Sequence, residues 1–209
     1  MRFLKKYLAS QSRRPKGAIG KLMGKLMNKM NAQMNEKTIQ LLGIDEGDFV
    51  LEIGFGNGKY IAEIIEKVKG THVFGLDFSD AMVKTATKLN KDSIEQGRVH
   101  IEQGDIKKIP FEDKMFNKIF TVNTIYFWSD PIHGLQEIKR VLKPGGRLAI
   151  TFRSKDIMLQ RTSSEYDFSL YTPDAEEVEN LLNEAGFSNS SIQYFRDKSI
   201  EYYCVVAEH

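Results

Sequence analysis

Cysteine is nearly missing from this chain. Cys204 is the single one among 209 residues, so neither an internal disulfide nor a multi-cysteine metal site can form, and no metal is expected. Its place in the apolar run Tyr202 to Val206 fits a packed core thiol better than a nucleophile. Long apolar runs are missing too: none approaches the ~20 residues of a membrane span. The basic N-terminus lacks the apolar stretch and small-residue cleavage site of a secretory signal, so a cytoplasmic protein is expected. No break in composition marks a second domain, and there is no internal repeat or low-complexity tract. Acidic residues are absent from the first 35 positions, which carry nine Lys or Arg, although the net charge of the whole chain is only +2.

That basic stretch carries two apolar stripes at helical spacing: Phe3, Leu4, Tyr7 and Leu8, then Leu22, Met23, Leu26, Met27, Met30 and Met34. Lys21, Lys25 and Lys29 repeat on the other side of the second stripe, and Ser12 to Gly17 forms a joint between the two. Residues 1–35 therefore read as a basic helical extension, and residues 36–209 as one domain. The extension has three readings: a lid over a site, a peripheral contact with an anionic membrane surface, or two helices packed on the body. Nucleic acid is not an expected partner.

The most informative stretch is Phe49-Val50-Leu51-Glu52-Ile53-Gly54-Phe55-Gly56-Asn57-Gly58. Four apolar residues among five suit a buried strand, and glycine at alternate positions lets the backbone approach a ligand. Ile61, Ile64, Ile65 and Val68 then follow at helical spacing. Further strands are expected at His72–Leu76, Val99–Gln103, Asn117–Asn123 and Arg147–Phe152, with a closing pair at Ser191–Phe195 and Ser199–Val206 around the turn Arg196-Asp197-Lys198. A short helix is expected at Thr38–Leu42. Ser79, Asp130-Pro131 and Thr172-Pro173 read as starts of later helices, and Lys143-Pro144-Gly145-Gly146 as a stop. Strands alternating with helices imply an α/β fold with a parallel sheet, and the terminal hairpin makes the last strand antiparallel.

In such a sheet a ligand lies beyond the carboxyl ends of the strands. Asp77 ends the second strand, where an acid can hold a ribose diol, which suits a dinucleotide or another adenosine-containing cofactor. The spacing Gly-x-Gly-x-Gly departs from the dinucleotide fingerprint Gly-x-Gly-x-x-Gly. Glu52, inside an apolar strand, is a costly charge unless a ligand ammonium or the loop satisfies it.

Taken together, the chain from about Leu42 onward resembles the class I S-adenosylmethionine-dependent methyltransferases. Val50 to Gly58 is similar to the family's first motif, Leu76 to Met82 to its second, and Gln103-Gly104-Asp105-Ile106 with Ile109-Pro110-Phe111 to its third. Phe116 to Tyr126 resembles its fourth strand and following loop, and Val141 to Leu148 its turn into strand five. The resemblance implies a doubly wound, seven-stranded, mostly parallel sheet of order 3-2-1-4-5-7-6 with helices on both faces. It implies S-adenosylmethionine as cofactor, leaving S-adenosylhomocysteine, and cofactor contacts at Glu52, Gly54, Phe55, Gly56, Gly58, Asp77, Phe78, Met82, Asp105, Ile106 and Asn123.

The reaction is an in-line displacement on an activated donor, so orientation and a dry pocket are its main catalytic devices. No universal catalytic residue is expected; Tyr126 and His133 are the catalytic candidates, His133 as a general base. Tyr126, Phe127 and Trp128 form an expected aromatic wall, and Tyr126, Trp128 and Tyr171 are candidate acceptor contacts. Asn123-Thr124-Ile125-Tyr126 lacks the two prolines of enzymes that methylate amino groups of nucleobases or glutamine, so a small-molecule acceptor is expected. Two alternatives stand: a nicotinamide-dependent oxidoreductase, and a non-catalytic cofactor-binding protein on the same fold.

Overall fold

The computed structural model describes residues 30–153, 173–196 and 200–209, and every structural statement concerns these. Most of the basic extension, the segment holding Tyr166, Phe168 and Tyr171, and the hairpin turn at 197–199 lie outside them.

β1 (Phe49–Ile53) sits inside the sheet because its side chains are apolar on both faces. Val50 and Leu51 are fully buried yet point to opposite layers, the alternation of a strand covered on both sides. It pairs in parallel with β2 (His72–Asp77) and β4 (Phe116–Val122), Leu51 lying opposite both Phe74 and Ile119. β3 (Val99–Gln103) continues the sheet beyond β2, and β5 (Leu142–Arg153) beyond β4. β7 (Glu201–Glu208) runs antiparallel against β5, and β6 (Ser188–Arg196) antiparallel against β7. The resulting order, β3-β2-β1-β4-β5-β7-β6, is the one expected from the resemblance.

Helices cover both faces. α1 (Ala32–Leu42), α2 (Lys59–Lys67) and α3 (Asp80–Leu89), followed by the short α4 (Lys91–Glu95), supply Leu42, Ile61, Ile64, Met82 and Ala86 to one layer. α5 (Pro131–Val141) and α6 (Ala175–Glu184) supply Leu135, Ile138, Val178 and Leu182 to the other. Burying each of the Leu, Ile, Val and Met side chains contributes about 1.5–3 kcal/mol, which is why helices with one apolar face dock here. No helix among the described residues is long and apolar enough to cross a membrane.

Several boundaries differ from those expected, and three of the differences have a local cause. α1 begins at Ala32 rather than Thr38, because Met34 is fully buried and Thr38 Oγ1 lies 2.6 Å from Thr151 Oγ1, tying the helix to β5. The Met30 and Met34 end of the second apolar stripe thus runs into a helix of the body. α6 starts after Asp174, not at Thr172-Pro173: the Asp174 carboxylate accepts from Glu177 N at 2.9 Å and Glu177 accepts from Asp174 N at 2.8 Å. That reciprocal box satisfies two end amides, where Pro173 satisfies none. Lys143 to Gly146 ends α5, but as a bulge in β5, whose register jumps between Phe116–Leu142 and Lys118–Arg147.

Candidate functional site

A cavity of about 210 Å³ opens at the carboxyl ends of β1, β2 and β4. β1 is flanked by β2 on one side and β4 on the other, so the chain crosses over here, the place where open α/β sheets bind ligands. The first glycine continues the ladder, Gly54 N donating to Leu76 O at 2.7 Å. Its φ of +75° is in the left-handed region, and any Cβ would collide with the Thr124 side chain. Thr121 Oγ1 donates to Ile53 O at 2.8 Å and bonds Thr124 Oγ1, so β4 holds the strand end under the loop. Phe55 is buried, its ring against the space beside Gly75, and this anchors the loop from below.

The two acids nearest the loop behave differently. Asp77 Oδ2 accepts from Gly56 N at 2.9 Å and Oδ1 from Ser79 N at 2.8 Å. Burial pushes its carboxyl up to about 6, with those two bonds opposing. Glu52 is 4% exposed, and its Oε2 has no hydrogen-bond partner. Burial, with the Asp77 charge adding to it, holds the Glu52 carboxyl well above the ordinary range. An orphaned buried carboxyl facing a cavity is the chemistry of a site built for a cation or a hydrogen-bond donor.

Gly104, Asp105 and Ile106 wall the cavity beyond β3, with Asp105 Oδ1 accepting from Lys107 N at 3.0 Å. Phe78 and Met82 wall it beyond β2, Phe78 being 46% exposed. Asn123, in the left-handed region at φ +57°, follows β4 and accepts from the Tyr126 hydroxyl at 3.1 Å. Phe127 and Trp128 complete that side.

Three expected site residues do not line the cavity. Tyr126 is buried off the cavity, its hydroxyl bonding Asn123 Oδ1 and the Arg153 N–H, and burial raises its phenol far above the neutral range. It holds the loop after β4. His133 is exposed outside the cavity, its ring 2.8 Å from Lys107 O. Gly58, the N-cap of α2 at φ +76°, does not line the cavity. A Cβ there would lie 2.6 Å from Ala86 Cβ and 2.9 Å from Asn90 Nδ2, so it lets α2 and α3 approach. Tyr171 lies outside the described residues.

Sequence reasoning missed Asn31, Asn35 and Tyr60, which also line the cavity. Asn35 Nδ2 donates to Asn31 O at 2.9 Å, and Arg153 Nη2 donates to Asn31 Oδ1 at 2.9 Å, fixing the start of α1 against the end of β5. No local motif marks these residues. The polar Asn31 and Asn35 next to the apolar Met34 were the available signal.

Comparison with known proteins decides the family. The profile described as a methyltransferase domain matches residues 51–150. An uncharacterized methyltransferase of Bacillus subtilis, YdaC, is 37% identical over 63% of this chain and 71% of its own length. The chain belongs to the class I S-adenosylmethionine-dependent methyltransferases. A ubiquinone/menaquinone biosynthesis C-methyltransferase of Vibrio vulnificus is 30% identical to this methyltransferase over 74% of it and 69% of the relative. A solved SAM-dependent methyltransferase from Aquifex aeolicus is 28% identical and superposes with a TM-score of 0.60, covering 83% of this chain and 88% of that one. The match to the profile begins at Leu51 and takes in the glycine loop, Asp77, Asp105 and Asn123, the residues that surround the methyltransferase's cavity. The dinucleotide-dependent oxidoreductase is therefore set aside.

Proposed function

We propose that the chain binds S-adenosylmethionine in the cavity above β1 and transfers its methyl group to a small-molecule acceptor in the cytoplasm. The observation that carries the reading is the buried Glu52 carboxyl, whose Oε2 is orphaned toward a cavity that also holds the glycine loop and Asp77. On this reading Asp77 holds the ribose diol, Glu52 the ammonium, and Asp105 with Phe78 and Ile106 the adenine. When bound, the cofactor supplies a methyl group on a sulfonium, already activated for displacement.

The protein's part is to orient and to exclude water. The Thr121 and Thr124 hydroxyls and the Tyr126 hydroxyl lock the ends of β1 and β4, so the cavity wall is fixed before a ligand arrives. Phe127 and Trp128 give the cavity an apolar side that suits a flat or apolar acceptor. The naming of the Vibrio relative for quinone biosynthesis supports an acceptor of small size. Among the described residues, the titratable side chains that line the cavity are Glu52, Tyr60, Asp77 and Asp105. The basic extension is proposed as a cover for the acceptor side, with a peripheral membrane contact as the other use of its charge.

Label transfer tests this. Incubation with methyl-labelled S-adenosylmethionine and a panel of phenols, quinols, amines and carboxylic acids is expected to label at least one class. Cofactor binding with no labelled product from any class would instead favour a non-catalytic binding protein.

A further inference from the structure

Glu52 is not the only cavity-lining residue with an unpartnered buried oxygen. The Tyr60 hydroxyl also lacks a hydrogen-bond partner, and Tyr60 is 2% exposed. It is the second residue of α2, directly after the glycine loop, and it lines the cavity together with Asn31 and Asn35 of the α1 side. A buried hydroxyl with nothing to bond is costly, and one on a residue that lines a cavity is a group that a ligand there can complete. Burial, with the charges of Glu63, Glu36 and Glu52 adding to it, raises the phenol far above neutral pH, so the group there is an O–H donor. Lys59 Nζ lies 5.1 Å from the Tyr60 ring centroid and 3.1 Å from Glu63 Oε1. The polar groups at this end therefore comprise one acceptor acid, one hydroxyl donor and an ammonium close behind. Phe78, Met82 and Ile106 mark the other, adenosine-facing part of the cavity.

We infer that Tyr60 is a ligand-contacting specificity residue whose hydroxyl donates to the carboxylate of the cofactor's amino-acid end, beside the Glu52 carboxyl that takes the ammonium. The inference rests on the cofactor reading above and adds to it. It makes the start of α2, faced by Asn31 and Asn35, the part of the cavity that recognises a zwitterion. Ligands that keep the adenosine but lack the amino-acid end gain nothing from this hydroxyl.

The test uses the full chain and two ligands, S-adenosylhomocysteine and 5′-methylthioadenosine, which shares the thioether nucleoside but not the amino-acid end. Tyr60→Phe is expected to weaken S-adenosylhomocysteine by roughly 10- to 100-fold, the loss of one hydrogen bond to a charged group. Binding of methylthioadenosine is expected to stay within about twofold, since that ligand never reaches the hydroxyl. The ligand-free melting temperature should hold or rise, because the substitution removes an unpaired buried hydroxyl; a structural hydroxyl would lower it. Unchanged S-adenosylhomocysteine affinity in Tyr60→Phe, or an equal loss for both ligands, overturns the inference alone. Failure of the wild-type chain to bind S-adenosylhomocysteine overturns the cofactor reading as well.

Discussion

Gly56 donates its backbone N–H to Asp77 Oδ2 at 2.9 Å, so the acid at the end of β2 fixes the glycine loop that begins at the end of β1. One carboxylate therefore shapes the loop and presents its remaining lone pairs to the cavity. Asp77→Ala removes the acceptor of both the Gly56 and the Ser79 amides. S-adenosylhomocysteine affinity is expected to fall by about 100-fold or more, the scale of losing two hydrogen bonds to a charged acceptor. Titration calorimetry measures it, and a loss under threefold would detach Asp77 from the ligand.

Glu52 gives a pH-dependent outcome. Its folded carboxyl lies well above the ordinary 4.5, so the folded chain holds this proton more tightly than the unfolded one. Its contribution to stability is present in full below about pH 4.5 and is lost as pH rises through the higher folded value. Asp77, pushed up to about 6, acts in the same direction between about pH 4 and pH 6. Glu52→Gln keeps the shape without the charge. The ligand-free variant is expected to match the wild type in thermal melts near pH 4.5 and to exceed it near pH 8, while binding the cofactor more weakly. A variant less stable than the wild type at pH 8 would contradict this.

The glycines separate by what surrounds them. Gly58→Ala forces a Cβ to 2.6 Å from Ala86 Cβ at a φ of +76°, with an expected cost of about 2–4 kcal/mol of stability. Gly56 has open space where its Cβ would stand, so Gly56→Ala carries only the left-handed strain at φ +59°, about 1–2 kcal/mol. Denaturant unfolding of the two variants is expected to rank them in that order. The reverse ranking would mean that Gly58 is not the packing contact between α2 and α3.

His133 stands apart from the cavity, hydrogen-bonded to Lys107 O. His133→Ala is expected to leave methyl transfer within about twofold once an acceptor is in hand. A 100-fold fall in kcat would show that it reaches the reacting atoms. Removing residues 1–29 keeps α1 intact and is expected to change acceptor turnover more than cofactor affinity. Equal turnover with and without them would count against a covering role.

Much of this was legible in the chain because the signals are local. The apolar run of β1, buried from Val50 to Ile53, the glycines after it, and Asp130-Pro131 at the start of α5 are each set by a few neighbouring residues. Glu52 stood out because a charge in an apolar strand has to be explained, and its unpaired oxygen is that explanation. Tyr60, Asn31 and Asn35 were not legible, since only the packing of α1 and α2 brings them to one cavity. The packing role of Gly58 was not legible either: it belongs to the glycine motif, yet the groups a Cβ there would meet are on Ala86 and Asn90, distant in sequence. Tyr126 and His133 follow β4 as expected, but the 3-10 turn at Ile125–Phe127 and the cap of α5 direct them into the core and to the surface.

The central claim is that the cavity above β1 is a cofactor site for S-adenosylmethionine. Titration calorimetry of the full chain with S-adenosylhomocysteine tests it most directly. Saturable binding at one site per chain, lost in Asp77→Ala, is the expected result. No heat of binding at millimolar ligand, from a chain whose melting shows it to be folded, would contradict it.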